Sequence, residues 1–176
     1  MDACTDLTLV KPALTFQEEY CAMIQEFTQI GEGQFNNFPL ALKDFVAYIS
    51  ELDNEAQGID LPTGVVPQET YWLVKDGKHV LGEIRLRPYL VSPFEQHNGH
   101  VGYNIRPSER RKGYATCQLA LLLEKVKRRN IPRIMLTVKG DNPASVRTIE
   151  KNGGKLEWQR FLPEKGRIVS CYWIEV

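Results

Sequence analysis

The sequence predicts a mixed α/β domain, and three observations predict it. A strand-like run, Gly99-His100-Val101-Gly102-Tyr103-Asn104-Ile105, passes through a basic turn, Arg106 to Thr116, straight into an amphipathic helix. A short apolar run, Ile134-Met135-Leu136-Thr137-Val138, follows that helix, and strands joined through a helix make a right-handed crossover. A second, well-capped helix then gives way to two more strand-like runs near the C-terminal end. At 176 residues the chain fits one domain, residues 1–176, with enough mass to bury a core without staples.

The elements follow in order. Leu7 to Val10 reads as a first short strand. Thr15 opens a helix, with Glu18 completing a T-x-x-E capping box. Phe16, Tyr20, Met23, Ile24, Phe27 and Ile30 recur at helical spacing and form its core face. A loop from Gly31 to Asn37 leads into a second helix, whose apolar stripe is Leu42, Phe45, Val46, Ile49 and Leu52. Gln57 to Thr70 has glycine and proline punctuation and no period, which predicts a long loop. Strands are predicted at Tyr71–Lys75 and Val80–Leu90, joined by the tight-turn pair Asp76-Gly77. The helix after the basic turn covers Thr116 to Arg129 and ends near Asn130, with Pro132 just beyond. Lys155–Leu162 and Arg167–Glu175 read as a closing hairpin around Pro163-Glu164-Lys165-Gly166.

Composition excludes several classes. Lys plus Arg and Asp plus Glu balance at 22 each, so no global field favours nucleic acid or a membrane surface. No apolar run is long enough to span a bilayer, and the N-terminal MDACTDLTLV lacks the apolar region of a signal peptide. Cys4, Cys21, Cys117 and Cys171 lie far apart with no C-x-x-C pair. That spacing argues against a zinc site and predicts reduced, mostly buried thiols in a cytoplasmic protein; no metal is implied.

The basic turn carries the chemistry. Between a strand and a helix, successive backbone N–H groups converge, the helix terminus adds positive potential, and Arg and Lys add formal charge. Such a turn holds a diphosphate. Gly113 lets the backbone approach the oxygens, and Ala115 keeps the first helical turn small. The residues Arg110-Arg111-Lys112-Gly113-Tyr114-Ala115 have the form Arg-x-x-Gly-x-Ala, and there the chain resembles the GNAT superfamily of N-acetyltransferases. In that family this turn cradles the pyrophosphate of acetyl-CoA. The resemblance therefore implies cofactor contacts at Arg110, Arg111, Lys112, Gly113, Tyr114, Ala115 and Thr116.

A second motif begins at Asp141-Asn142-Pro143-Ala144-Ser145, about 27 residues beyond the turn. Asn142 suits an N-cap, Pro143 the first helical position and Gly153 the residue past the end. The segment resembles the family's Asn-x-x-Ala/Ser…Glu-Lys-x-Gly stretch, whose Asn bonds the pantetheine arm, and so implies Asn142 and Ser145 as cofactor contacts. Together the motifs imply the family fold over nearly the whole chain: a mostly antiparallel sheet, flanked by helices, whose central parallel pair splays to admit acetyl-CoA. The wider pattern Gly-His-x-Gly-Tyr-x-Ile-Arg-Pro-Ser-Glu-Arg is similar to an uncharacterised branch of predicted acetyltransferases.

Acetyl transfer to an amine poses a proton problem, since a lysine-like amine has a pKa of ~10.4 and is masked at neutral pH. A base must take that proton, a donor helps the departing thiolate, and a backbone N–H must hold the thioester oxygen. The resemblance places the last in the strand before the turn, at Tyr103, Asn104 or Ile105, where a bulge would free an amide. Many relatives carry a Tyr on the second-motif helix as thiolate donor. This chain has Ile149 there, which leaves Ser145 as leading donor and Tyr172 as second choice. Candidates for the base are Glu83, His100, Glu32 and Glu26. Alternation puts Glu83, Arg85 and Arg87 on one strand face, where Glu83 and Arg85 could equally form a surface pair. Glu32 and Arg87 are expected to contact the acceptor, the first from the loop after the first long helix and the second through a carboxylate. His79 and His97 fall in turns.

The leading function is direct, acetyl-CoA-dependent N-acetylation of a primary amine on a small molecule or peptide. The alternative is a non-catalytic acyl-CoA-binding or sensing module, raised by the absence of Tyr at position 149. Nucleic-acid binding lacks interleaved aromatics and a basic balance. The resemblance leaves open a homodimer joined through the C-terminal strands.

Overall fold

A computed structural model describes residues 4–32, 37–91 and 99–176 of the chain. Its strands form two antiparallel sheets. The first has the order β1 (Leu7–Val10), β2 (Glu69–Lys75), β3 (His79–Leu86), β4 (Val101–Ile105). The second has β5 (Arg133–Lys139), β7 (Arg167–Glu175) and β6 (Lys155–Leu162), with β7 in the middle. The described helices are α1 (Gln17–Gln29), α2 (Phe38–Lys43), α3 (Phe45–Gln57), α4 (Tyr114–Lys127) and α5 (Pro143–Lys151).

The central strands β2 and β3 are buried on both faces; β2 accordingly shows a continuous apolar run, Tyr71-Trp72-Leu73-Val74, whereas β3 places Glu83 and Arg85 on one face. One set of their side chains, with Leu73, Ile84 and Leu86, packs against Leu119, Leu122 and Val126 of α4 and against Ile134 and Ile174 of the second sheet. The other set, with Trp72, Val74 and Val80, packs under α1 and α3. There the rings of Tyr20 and Trp72 stack at 4.2 Å, both fully buried. Cutting either aromatic back to alanine costs about 3–5 kcal/mol.

Several local expectations are corrected. A 3-10 turn at Leu14–Phe16 precedes α1, whose N-cap is Phe16, so the Thr15/Glu18 box does not form. The stripe assigned to one helix is divided between α2 and α3, because Asp44 adopts an extended conformation and its Oδ1 accepts from Ala47 N at 3.0 Å. That break rotates the buried face onto Phe45, Tyr48 and Leu52 and leaves Leu42 and Val46 exposed. Ile30 is exposed as well. Strand β3 ends at Leu86 rather than Leu90, since Pro88 cannot donate to a ladder. His97 lies outside the described residues.

The thiols differ from expectation too. Cys4 and Cys117 are bonded as a disulfide across 113 residues, tying the start of the described chain to the first turn of α4, while Cys21 and Cys171 are free. Spacing along the chain carried no trace of this, because the fold supplies the proximity.

Between the sheets, β4 and β5 share no ladder among the described residues. The residues just before β4 meet the middle of β5 through the isolated bridge Gly99↔Leu136 and the bond from His100 N to Met135 O at 2.8 Å. The expected parallel pair is thus two strands in separate sheets. No described helix is long and apolar enough to cross a membrane.

Candidate functional site

The basic turn closes in two steps. Pro107–Glu109 makes one 3-10 turn, and then Arg111 and Gly113 take positive φ values of 65° and 86°. Gly113 is the N-cap of α4, and a Cβ built on it would meet nothing within 4 Å. Its backbone angle, not crowding, calls for glycine, and the space beside it is open. Among the described residues no backbone carbonyl accepts from the amides of Arg111, Lys112, Gly113, Tyr114 or Ala115. Five successive donors at a helix N-terminus form an anion-binding concavity.

The side chains of the turn have partners within the chain. Arg110 turns away to Glu32: Nη1 donates to Oε1 at 3.0 Å and Nη2 to Oε2 at 2.6 Å, while Nε donates to Ile105 O at 3.2 Å. These bonds hold the Glu32 carboxyl below its ordinary range. Arg106 likewise reaches back to α1, with Nε donating to Glu26 Oε1 at 2.7 Å and Nη1 to Glu19 Oε2 at 3.2 Å. Burial raises the Glu26 pKa, but the Ser108 amide and Arg106 outweigh it and leave that carboxyl low. Lys112 pairs with Glu109 at 2.9 Å, and Arg111 is exposed. Glu26 on α1 and Glu32 just after it, both acceptor-side or base candidates, thus tie the turn to that helix and the segment that follows it.

Strand β4 ends its sheet, and ladder parity fixes which of its amides are open. Arg106 N donates to Leu81 O and Arg87 N to His100 O, each at 2.8 Å. With the register Glu83↔Asn104 and Arg85↔Gly102 between them, the backbone groups of Gly102 and Asn104 face β3. Those of Tyr103 and Ile105 face the gap toward β5. The expected bulge is absent, since the β3–β4 register runs without a shift; shifts occur at Leu73/Val74 and Leu156/Trp158. An edge position frees the amide instead.

The two faces of β4 carry two polar groups. On the α4/α5 side, the Tyr103 hydroxyl lies 2.6 Å from Ser145 Oγ and 3.3 Å from Ser145 O. Asn142 caps α5 through Oδ1, which accepts from Ser145 N at 3.1 Å, so the cap also fixes Ser145. Asn152 Nδ2 donates to Thr116 O at 3.2 Å and Thr148 O at 2.9 Å, joining α5 to the first turn of α4. Neither the Tyr103 side chain nor Asn152 was singled out from sequence for these contacts, because both partners lie far away along the chain or on another element. Ile149 is core, and Tyr172 is buried between Leu136 and Leu156 of the flanking strands.

On the α1/α3 side, Trp72, Glu83 and Asn104 stand in cross-strand register. Glu83 is 0% exposed. Its Oε2 accepts from the Tyr20 hydroxyl at 2.5 Å, Tyr20 and Tyr48 hydroxyls meet at 2.6 Å, and Arg85 Nε stands 3.6 Å from Oε1. Burial pushes the Glu83 pKa up, against the opposing pull of Arg85 and Tyr20. The Glu83–Arg85 pair is accordingly a buried one. His100 spends its Nδ1 lone pair on Met135 N at 2.9 Å, and burial lowers its pKa to about 4. Arg87 donates from Nη1 to Gly99 O at 3.3 Å.

A cavity of about 360 Å³ borders the turn, lined by Arg106, Glu109, Lys112 and Tyr114 with His79 and Leu81. It touches neither Ser145 nor Glu83, so hydrogen-bond geometry rather than cavity volume defines the site. No group of three or more metal-ligating side chains occurs among the described residues.

Residues 7–155 match the family described as acetyltransferase (GNAT) domain. No curated protein matches the sequence. Among solved structures, the microcin C7 self-immunity acetyltransferase MccE, in complex with acetyl-CoA and AMP, is 17% identical with a TM-score of 0.71, over 100% of this chain and 96% of that one. An acetyl transferase from Salmonella typhimurium that modifies the N-terminal serine of 50S ribosomal subunit protein L7/L12 is 15% identical, with a TM-score of 0.69 over 99% and 97%. A chimera of the spermidine N-acetyltransferase SpeG from Vibrio cholerae with hSSAT is 17% identical, with a TM-score of 0.64 over 97% and 96%. At such identities the likeness shows a shared fold.

Proposed function

We propose, for a chain that belongs to the GNAT acetyltransferase family, that it transfers the acetyl group of acetyl-CoA directly to a primary amine. The observation that carries this reading is the run of five amides from Arg111 to Ala115, open among the described residues, at the end of a strand whose outer edge pairs with no described strand. When bound, acetyl-CoA supplies an activated acetyl thioester; everything else is done by this chain.

The open amides, with Arg111 and Lys112, hold the diphosphate, and Gly113 keeps the approach clear. Arg110 contributes by fixing the turn rather than by touching the phosphates. The Tyr103 and Ile105 backbone groups and Asn142 align the pantetheine arm along the β4 edge. The Tyr103 amide, which faces away from β3, would donate to the thioester oxygen, and one well-placed donor is worth about 3–4 kcal/mol in the transition state. Ser145 serves the sulfur on one face of β4. Glu83 serves the amine from the other, its raised pKa bringing it closer to the range where a carboxylate accepts a proton at neutral pH. His100 is a structural link between the sheets. Arg87 remains the acceptor-side cation, and residues 1–176 act as one unit.

Solved proteins of this fold act on a protein N-terminus and on spermidine, so the acceptor screen starts there. Thiol release from acetyl-CoA is measured with serine-first peptides, spermidine and free amino acids. Release that depends on one amine class supports the reading. Binding of acetyl-CoA with no amine-dependent release across all classes overturns the transferase assignment.

A further inference from the structure

The side chain of Tyr103 has a task beyond the backbone role given to its amide. Ser145 is the thiolate-side donor of the reading above, and the inference rests on that reading. A serine hydroxyl has one proton and two acceptor lone pairs, so its value as a donor depends on where its proton points. In α5 the default competitor is a carbonyl one turn earlier, as Thr148 shows by donating to Ala144 O at 3.0 Å. Ser145 escapes this because it sits in the first turn, with Asn142 holding its amide at 3.1 Å. Its Oγ instead meets the Tyr103 hydroxyl, 42 residues away on β4, at 2.6 Å.

We infer that Tyr103 is a positioning residue: its phenol donates to Ser145 Oγ and thereby turns the serine proton toward the thioester sulfur. Direction follows from acidity, since a phenol is the stronger donor of the two hydroxyls. Burial raises the Tyr103 pKa and keeps the phenol protonated, so no phenolate competes for the serine proton. Ile149 stands where many relatives have a Tyr, and its side chain is 1% exposed in the core. The phenol that this helix lacks reaches the same neighbourhood from β4. In the transfer step the amine nitrogen bonds to the acetyl carbon and the C–S bond breaks with its electron pair on sulfur. The Ser145 hydroxyl donates a hydrogen bond to that sulfur, and Tyr103, donating into Oγ, strengthens it through cooperative polarisation.

The prediction can be read without knowing the acceptor. The probe is free CoA, whose bound thiol is titrated by thiolate absorbance on wild type, Tyr103→Phe, Ser145→Ala and the double variant. Desulfo-CoA, which lacks the thiol, reports packing by calorimetry. Wild type is expected to hold the bound thiol below the value of free CoA titrated alongside it. Tyr103→Phe raises it by about one unit, a tenfold loss of thiolate at a given pH, and adds nothing further in the Ser145→Ala background. Desulfo-CoA affinity stays within about twofold. An unshifted thiol in Tyr103→Phe, or an equal shift in both backgrounds, overturns the inference while the cofactor assignment stands. An equal loss of desulfo-CoA affinity reduces Tyr103 to packing and also overturns it. Failure of wild type to bind either probe removes the cofactor reading and this inference together. If Tyr103→Phe does not fold, Ser145→Ala alone must raise the bound thiol by a comparable amount, and an unshifted thiol there sinks the idea.

Discussion

Arg110 and Glu32 meet through two parallel hydrogen bonds of 3.0 and 2.6 Å, across 78 residues of sequence. The motif arginine is thereby used to anchor the turn against the segment that follows α1, with the guanidinium 5.5 Å from the Phe27 ring. The pair is 38% and 41% exposed, so solvent screening limits its worth to about 0.5 kcal/mol. Glu32→Gln is expected to lower stability by about that amount and to weaken acetyl-CoA binding only a few-fold. Because the folded Glu32 pKa is depressed, its contribution is present above the unfolded value of about 4.3 and fades as pH falls through the folded value. Urea denaturation of both proteins at neutral and acidic pH checks this: the difference between them should shrink in acid. Tighter binding in Glu32→Gln would contradict the anchoring role, because an Arg110 released from Glu32 would then be reaching the phosphates.

Glu83 behaves in the opposite sense. Its folded pKa is raised by burial, so its contribution to stability is full below about pH 4.3 and is lost as pH rises through the folded value. Relative to wild type, Glu83→Gln should therefore gain stability as pH rises from 4 to 7. The same substitution removes the amine-side base and should reduce turnover by about 10²-fold or more. Paired denaturation and thiol-release measurements read both effects. Undiminished turnover would remove Glu83 from the mechanism and leave a structural Tyr20–Glu83–Tyr48 cluster.

His100 sets the acid limit. Burial depresses its pKa to about 4, so the neutral ring stabilises the fold above its unfolded value of about 6.5, and that contribution is lost as pH falls toward 4. The full window is worth roughly 3 kcal/mol. His100→Gln should flatten this slope in urea midpoints between pH 7 and pH 5, and an NMR titration should find no His100 protonation near neutrality. A His100 resonance titrating between pH 6 and 7 would contradict the buried Met135 contact.

What was legible in the sequence was what local chemistry encodes. The closing hairpin has its predicted bounds, Lys155–Leu162 and Arg167–Glu175, because Pro163 and Gly166 punctuate it; Gly166 takes φ 60°. The second motif helix was legible for the same reason, with Asn142 and Pro143 marking its start. Asp44 was missed because Leu42, Phe45, Val46 and Ile49 keep helical spacing through the break, and period alone cannot register a capping carboxylate. The partners Arg110–Glu32, Tyr103–Ser145 and Cys4–Cys117 depend on how α1, β4, α4 and α5 stack. No sequence spacing encodes that. The bulge expected in β4 failed for a related reason: an amide can be freed by strand order as well as by an extra residue.

The measurement that tests the central claim most directly is calorimetric titration of acetyl-CoA into wild type, Gly113→Glu and Arg111→Glu. Gly113→Glu places bulk and negative charge in the open space beside the turn, though at φ 86° it also strains the backbone, and Arg111→Glu reverses charge at a second exposed position. Saturable binding to wild type, abolished in the first variant and weakened at least tenfold in the second, is the predicted result. Equal affinity in all three folded proteins would contradict the account, because the open amides of the turn would then not be what holds the diphosphate.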